Sequence, residues 1–117
     1  MGLNSNIKIG VLTSSRADFG IYYPLLKKLD NYKSFDLEII AFGTHLDKNF
    51  GETITEIYDL GFKVKHQIET TNSNKNPYQT SLSIGTTIVK FSEFWNNNEF
   101  DLVLCLGDRY EMFAAVA

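Results

Sequence analysis

Two charged residues follow the last apolar stretch of this sequence. Residues 102–106 form a strand-like apolar run, and Gly107 leads from it directly into Asp108 and Arg109. We expect a buried strand here with both charged side chains at its carboxyl end, where ligands bind in open parallel sheets. A carboxylate can exchange a proton with a bound molecule, and a guanidinium can bind a phosphate through two parallel hydrogen bonds. The pattern therefore predicts an anion-binding site with an acid/base group.

Two earlier loops carry side chains of similar chemistry. The polar segment 14–18, which contains Arg16, follows a first apolar stretch, and His45 follows a second one. A histidine can exchange protons because its ordinary pKa lies near neutrality. Residue type alone leaves another interpretation open, since arginine and aspartate also form ordinary ion pairs and a loop histidine also binds backbone groups. The strand order decides whether these residues can meet.

Four strand patterns alternate with helical patterns along the chain. The predicted strands cover residues 7–13, 36–42, 62–68 and 101–106, with apolar residues at helical spacing between them. This alternation predicts an α/β fold with a doubly wound, parallel, Rossmann-like sheet. In the usual strand order 3-2-1-4, a crevice opens above the carboxyl ends of the first and fourth strands. Arg16, Asp108 and Arg109 are therefore expected to converge there, with His45 nearby.

Several other residues are expected to serve the core. Cys105 lies inside the apolar run before Gly107, which predicts a buried, small hydrophobic side chain. His66 lies on the third, more polar strand, where we expect a structural role. The longest predicted helix has one apolar stripe toward the sheet, from residues at intervals of four, three and four: Ile84, Ile88, Phe91 and Trp95.

Composition and motifs exclude several classes of protein. The net charge of −3 and the scattered basic residues argue against a nucleic-acid binder. No apolar run approaches the roughly 18 residues of a membrane span, so we expect a cytoplasmic protein without membrane partners. The segment 13–20 has neither of the common glycine-rich nucleotide fingerprints, which argues against an NAD enzyme and a P-loop NTPase. No Cys or His grouping has metal-ligand spacing.

Three motifs, each at a predicted strand end, resemble one enzyme family. They are residues 15–20 (SRADFG), residues 43–46 (GTHL) with Phe50 and Gly51, and residues 106–111 (LGDRYE). The chain is similar in these motifs to the hydrolysing UDP-N-acetylglucosamine 2-epimerases of bacterial sialic and nonulosonic acid biosynthesis. The resemblance implies a glycosyltransferase-B arrangement of two Rossmann-like halves. Residues 1–117 would then be a partial N-terminal domain, with the C-terminal nucleotide-binding domain outside this sequence.

The resemblance also implies a reaction and residue roles. Such enzymes eliminate UDP to give a 2-acetamidoglucal and add water to give N-acetylmannosamine, with no cofactor and commonly as homodimers. The implied catalytic residues are Asp108 and His45, and the implied substrate-binding residues are Arg16, Arg109, Gly20 and Glu111. Glu111 has a simpler interpretation as an acid in the first turn of a helix.

Other classes remain open at the level of the sequence. A UDP-sugar glycosyltransferase shares the architecture, and fold alone does not fix chemistry. A receiver-like signalling domain has a similar length, but it needs an acidic pair after the first strand, where this chain has Ser14 and Ser15. A remnant that only binds partners is a third alternative. For the 117 residues alone we expect no turnover, and an exposed apolar edge that makes them marginally stable or prone to associate.

Overall fold

The chain forms a four-stranded parallel sheet covered by helices. The computed structural model describes residues 6–47, 53–70, 76–107 and 110–117. Within these ranges the elements are β1 (Ile7–Thr13), α1 (Arg16–Leu29), β2 (Phe35–Phe42), a 3₁₀ helix (Gly43–Leu46), α2 (Ile54–Asp59), β3 (Val64–Ile68), α3 (Pro77–Asn97), β4 (Leu102–Leu104) and α4 (Tyr110–Val116). The strand order is β3-β2-β1-β4, and every neighbouring pair is parallel. The predicted doubly wound α/β fold is confirmed.

Each face of the sheet has its own apolar core. Alternate residues of a strand point to opposite faces, so Val11 and Leu12 of β1 belong to different cores. Phe19 of α1 and Ile57 of α2 pack on the Val11 side, whereas Phe91 of α3 packs on the Leu12 side together with α4. The helix layer therefore changes face between β1 and β4, as the predicted switch of winding requires.

The buried stripe of α3 differs from the predicted one. The fully buried positions are Ser83, Thr87 and Phe91, and the predicted Ile84 and Ile88 lie on the flanks at intermediate exposure. The Thr87 hydroxyl can be buried because it donates to the Ser83 carbonyl oxygen at 2.8 Å. Small polar side chains thus occupy the centre of this contact, which an apolar periodicity does not reveal.

The β4 strand is more exposed than predicted, since we expected a buried strand before Gly107. It covers three residues, and in the described part of the chain it pairs only with β1. Leu102 is 51% exposed, and Cys105 is exposed instead of buried. The prediction for Cys105 is wrong because an apolar run implies burial on both sides only when another strand covers its outer edge. Phe113 of α4 adds to the exposed apolar surface nearby.

A buried carboxylate joins β1, β2 and β3 away from the loops discussed below. Glu38 of β2 lies 2.9 Å from His66 Nε2, 3.5 Å from Lys8 Nζ and 3.8 Å from Lys65 Nζ. Consecutive residues of a strand normally face opposite ways, but here the register shifts, so that Ile39 pairs with residue 64 and the next residue with 66. This bulge at Lys65 lets two neighbouring side chains reach one carboxylate. It also explains the structural role predicted for His66.

Candidate functional site

The loop after β1 is held by a buried aspartate. Asp18 is 5% exposed, and its Oδ2 accepts hydrogen bonds from the Ser14 backbone N–H at 3.0 Å and from the Ser14 hydroxyl at 2.7 Å. In the opposite direction, Ser15 is the N-cap of α1, and its hydroxyl oxygen accepts from the Asp18 N–H at 3.3 Å. Arg16 therefore begins its helix on an ordered turn.

The loops after β1 and β2 are joined directly. The Ser14 carbonyl oxygen accepts from both the backbone N–H and the hydroxyl of Thr44, each at 2.9 Å. Gly43 makes this approach possible, since its φ is +63° and a Cβ atom there would lie 2.9 Å from the Ser14 carbonyl oxygen. The carboxyl ends of β1 and β2 thus form one connected floor.

His45 is fully buried in this floor. Its Nε2 lies 2.8 Å from Thr13 Oγ1, and its Nδ1 lies 3.0 Å from Thr53 Oγ1. Burial lowers the pKa of His45 to about 4, although the nearby charge of Asp18 acts in the opposite direction. The imidazole is therefore neutral at physiological pH, with a hydrogen-bond partner at each ring nitrogen.

Three of the predicted site residues line one cleft between α1 and α2. Arg16, Gly20 and His45 border a space of about 510 Å³ that is closed on the other side by α2 residues, among them Glu56. The Arg16 Nε lies 3.2 Å from Glu56 Oε2, and 73% of the arginine side chain is exposed. A Cβ atom on Gly20 would meet no atom within 4 Å, so the cleft has free space beside α1. The arrangement offers an accessible cation next to open volume.

The other predicted site residues lie elsewhere or outside the description. Asp108 and Arg109 fall outside the described residues, so their convergence with Arg16 stays a prediction. Glu111 lies in the first turn of α4 and is buried. Its helix packs on the sheet face opposite α1, and Glu111 does not line the Arg16 cleft. Its predicted role in substrate binding also stays a prediction.

Sequence reasoning missed two residues of the cleft. Thr53 binds the buried imidazole, and Glu56 pairs with the guanidinium. A threonine just before an apolar-periodic stretch signals a helix start, but a bond to a histidine eight residues earlier depends on the folded path. In the described ranges, no cluster of three or more His, Cys, Asp or Glu side chains is arranged to hold a metal ion.

One property of the helices bears on the predicted absence of membrane partners. Among the residues that the structure describes, none of the helices combines the length and apolar content of a membrane crossing.

Comparison with known proteins identifies the relatives of this chain. The sequence profile described as UDP-N-acetylglucosamine 2-epimerase matches residues 27–117. A Legionella pneumophila protein named UDP-N,N'-diacetylbacillosamine 2-epimerase (hydrolyzing) is 36% identical over 108 residues, which cover 92% of this chain and 29% of that protein. A Campylobacter jejuni protein named GDP/UDP-N,N'-diacetylbacillosamine 2-epimerase (hydrolyzing) is 32% identical over 113 residues, covering 97% of this chain and 29% of that protein.

A solved structure shares the fold. The crystal structure of a UDP-N-acetylglucosamine 2-epimerase superposes with a TM-score of 0.77 at 16% identity, over 95% of this chain and 28% of that one. The chain thus spans less than a third of the length of the relatives and of the solved structure that it matches. Since the family profile covers most of its residues, the chain belongs to the UDP-N-acetylglucosamine 2-epimerase family.

Proposed function

We propose that this chain forms part of a hydrolysing UDP-N-acetylglucosamine 2-epimerase that releases N-acetylmannosamine and UDP. Family membership supports an epimerase, and the names of the Legionella and Campylobacter relatives support the hydrolysing type. In the proposed reaction, the sugar loses the C2 proton and the C1–O bond to UDP, which gives a 2-acetamidoglucal. Water then adds at C1, and a proton returns to C2 on the other face. No oxidant or reductant is consumed.

The observation that carries this proposal is the position of Arg16. Its exposed guanidinium lies at a cleft above the carboxyl ends of β1 and β2, beside the switch point between β1 and β4 where open sheets bind ligands. A guanidinium suits the phosphate oxygens of a sugar nucleotide. We assign Arg16 and Arg109 to the phosphates, Asp108 to proton exchange with the sugar, and Gly20 to the pocket wall. Glu111 is assigned to substrate binding by its motif alone.

The rest of the assignment concerns the intact protein. We propose that residues 1–117 belong to the N-terminal half of a two-domain, glycosyltransferase-B-type enzyme, which acts in the cytoplasm as a homodimer. Sedimentation of the intact protein tests the dimer. UDP-N,N'-diacetylbacillosamine is a second candidate substrate, because the two relatives compared above are named for diacetylbacillosamine instead of N-acetylglucosamine. Assays therefore need both UDP-sugars.

Two experiments test the function. In the first, UDP is titrated into the ¹⁵N-labelled chain, and we expect the largest amide shifts around Arg16 and Gly20. In the second, the chain replaces the matching segment of the Legionella relative, and the products are identified by NMR. A hydrolysing 2-epimerase releases a free 2-epimerised sugar and UDP without any acceptor. A requirement for an acceptor would support a glycosyltransferase instead.

The chimera also tests the site residues. Asp108→Asn keeps the shape of the side chain but cannot take up a proton as a carboxylate does, so turnover should fall by at least about 100-fold. Leu25→Ala is a suitable control, because Leu25 lies on α1 but is 48% exposed and does not line the cleft. Equal turnover in the two variants would contradict the role assigned to Asp108.

A further inference from the structure

The cleft contains a threonine that does not serve the helix it precedes. Thr53 is the N-cap of α2, a position where a threonine hydroxyl normally accepts a hydrogen bond from the first turn. In the described structure its side chain makes no such cap bond, and its φ and ψ of −63° and −2° are helical instead of extended. The hydroxyl is directed to His45 Nδ1 at 3.0 Å. A buried contact thus replaces the usual cap.

We assign the proton of the neutral His45 ring to Nε2 from the hydrogen bonds around it. The Thr13 hydroxyl donates to the Ser15 carbonyl oxygen at 3.4 Å, so its oxygen is free to accept from His45 Nε2–H. The opposite ring nitrogen, Nδ1, then accepts from the Thr53 hydroxyl, since a neutral imidazole has one donor and one acceptor. Every polar atom of this series has a partner. The series links the end of β1 to the start of α2 through the buried ring.

This link determines where α2 lies. A helix of six residues is too short to be stable alone, so its position depends on its tertiary contacts. Ile57 anchors α2 in the apolar core, and the N-cap residue Thr53 anchors the start of the helix to His45. Glu56 lies between these two anchors and pairs with Arg16 across the cleft at 3.2 Å. An exposed pair of this kind adds little stability, but it can restrict the orientation of the guanidinium.

We propose that Thr53 is a positioning residue: through its hydrogen bond to His45 it holds α2 so that Glu56 orients the Arg16 guanidinium for a phosphate group of the ligand. The pairing uses Nε of Arg16 and leaves its two terminal nitrogens to bind phosphate. His45 reaches Arg16 through Thr53 in this arrangement, and its predicted catalytic role stays a prediction. This inference rests on the proposed function for the identity of the ligand, but the orientation of Arg16 can be measured without a ligand.

The first test measures the order parameter of the Arg16 Nε–Hε bond in the ligand-free chain by ¹⁵N relaxation. Thr53→Val removes the hydroxyl at nearly constant shape, and we expect the Arg16 order parameter to fall to the value found in Glu56→Gln. Thr53→Ser should restore the wild-type value. Thr87→Val is the matched control, because it removes a buried threonine hydroxyl from the opposite face of the sheet.

The second test titrates UDP into the same variants of the chimera with the Legionella relative, which supplies the rest of the protein. We expect Thr53→Val to weaken binding by about threefold to tenfold, the range typical of residues that act through a neighbour, with wild-type affinity in Thr53→Ser and Thr87→Val. Unchanged Arg16 order in Thr53→Val, or no rescue by serine, would overturn the inference. If Thr53→Val does not fold, the exposed variant Glu56→Gln decides, and wild-type Arg16 order in it refutes the inference. A wild-type chimera that does not bind UDP refutes the proposed ligand, while the spectra of the chain still decide the positioning.

Discussion

Acid should destabilise this chain through one buried imidazole. His45 is fully buried, and in the folded state its pKa is lowered to about 4 from the ordinary value of 6.5. Between these two pH values the unfolded chain binds a proton at position 45 and the folded chain does not. Stability linked to this group is therefore complete above pH 6.5 and decreases as the pH falls toward 4. Below pH 4 the loss reaches its limit, because both states are then protonated.

The size of the effect follows from the two pKa values. Each pKa unit between the folded and unfolded states corresponds to about 1.4 kcal/mol, so the fall from 6.5 to about 4 predicts a loss of about 3 kcal/mol. Complete domains have about 5–15 kcal/mol of stability in total, and we expect less for a partial domain with an exposed apolar edge. The loss is thus large enough to shift a denaturation midpoint clearly.

The assay is urea unfolding, followed by circular dichroism at half-unit steps between pH 7.5 and 4. His45→Gln provides the comparison, since glutamine keeps a donor and an acceptor but does not titrate. Glu38 is present in both proteins and is bound to His66, not to His45, so its contribution cancels in the difference. We expect the variant to be less stable at pH 7.5, with the gap narrowing by about 3 kcal/mol toward pH 4. Parallel pH profiles for the two proteins would refute the assignment of a neutral, desolvated imidazole.

Three further predictions concern stability and binding. Gly20→Ala and Gly85→Ala should each raise the unfolding free energy by about 0.5–1 kcal/mol, because both lie in helix interiors with open space for a Cβ atom. In a UDP titration, only Gly20→Ala should alter the affinity, and an effect of Gly85→Ala would argue against UDP binding in the Arg16 cleft. Gly43→Ala should cost about 2 kcal/mol or more in urea unfolding, because φ is +63° and the new Cβ would contact the Ser14 carbonyl oxygen; wild-type stability would show that the two loops are not in contact. Burial raises the pKa of the Glu38 carboxyl, but the His66 hydrogen bond and two lysines outweigh burial, so the net pKa lies below the ordinary value. Glu38→Gln should therefore lower the unfolding free energy by about 1–3 kcal/mol at pH 7, and by less at pH 4. A cost that does not change with pH in urea unfolding would contradict a charged carboxylate at this position.

The sequence predicts the sheet well because its signals are local. The observed β1 has the predicted limits, because its apolar run has clear polar boundaries on both sides. Strand alternation then determines parallel pairing and the crossing to the second face. The predicted proximity of Arg16 and His45 is observed as well, because both line one cleft together with Gly20.

What the sequence misses depends on neighbours that are distant along the chain. Cys105 lies in an apolar run, but its exposure depends on whether another strand covers β4. His45 is at the predicted strand end, but its burial depends on Thr13 and Thr53, which are 32 and 8 residues away. The ion pair between Arg16 and Glu56 likewise joins two helices and has no local signature.

The bulge in β3 constrains how this family member can be recombined or redesigned. Because Lys65 is an extra residue in the ladder, the strand has one more residue than a regular alignment against β2 would allow. Deleting Lys65 would restore a regular ladder with His66 still opposite residue 40, but it would remove one of the two lysines that lie near Glu38. Sequence alignments and chimeric crossover points in this strand should therefore treat Lys65 as the extra residue, because matching hydrophobic residues alone would place β3 in the wrong register.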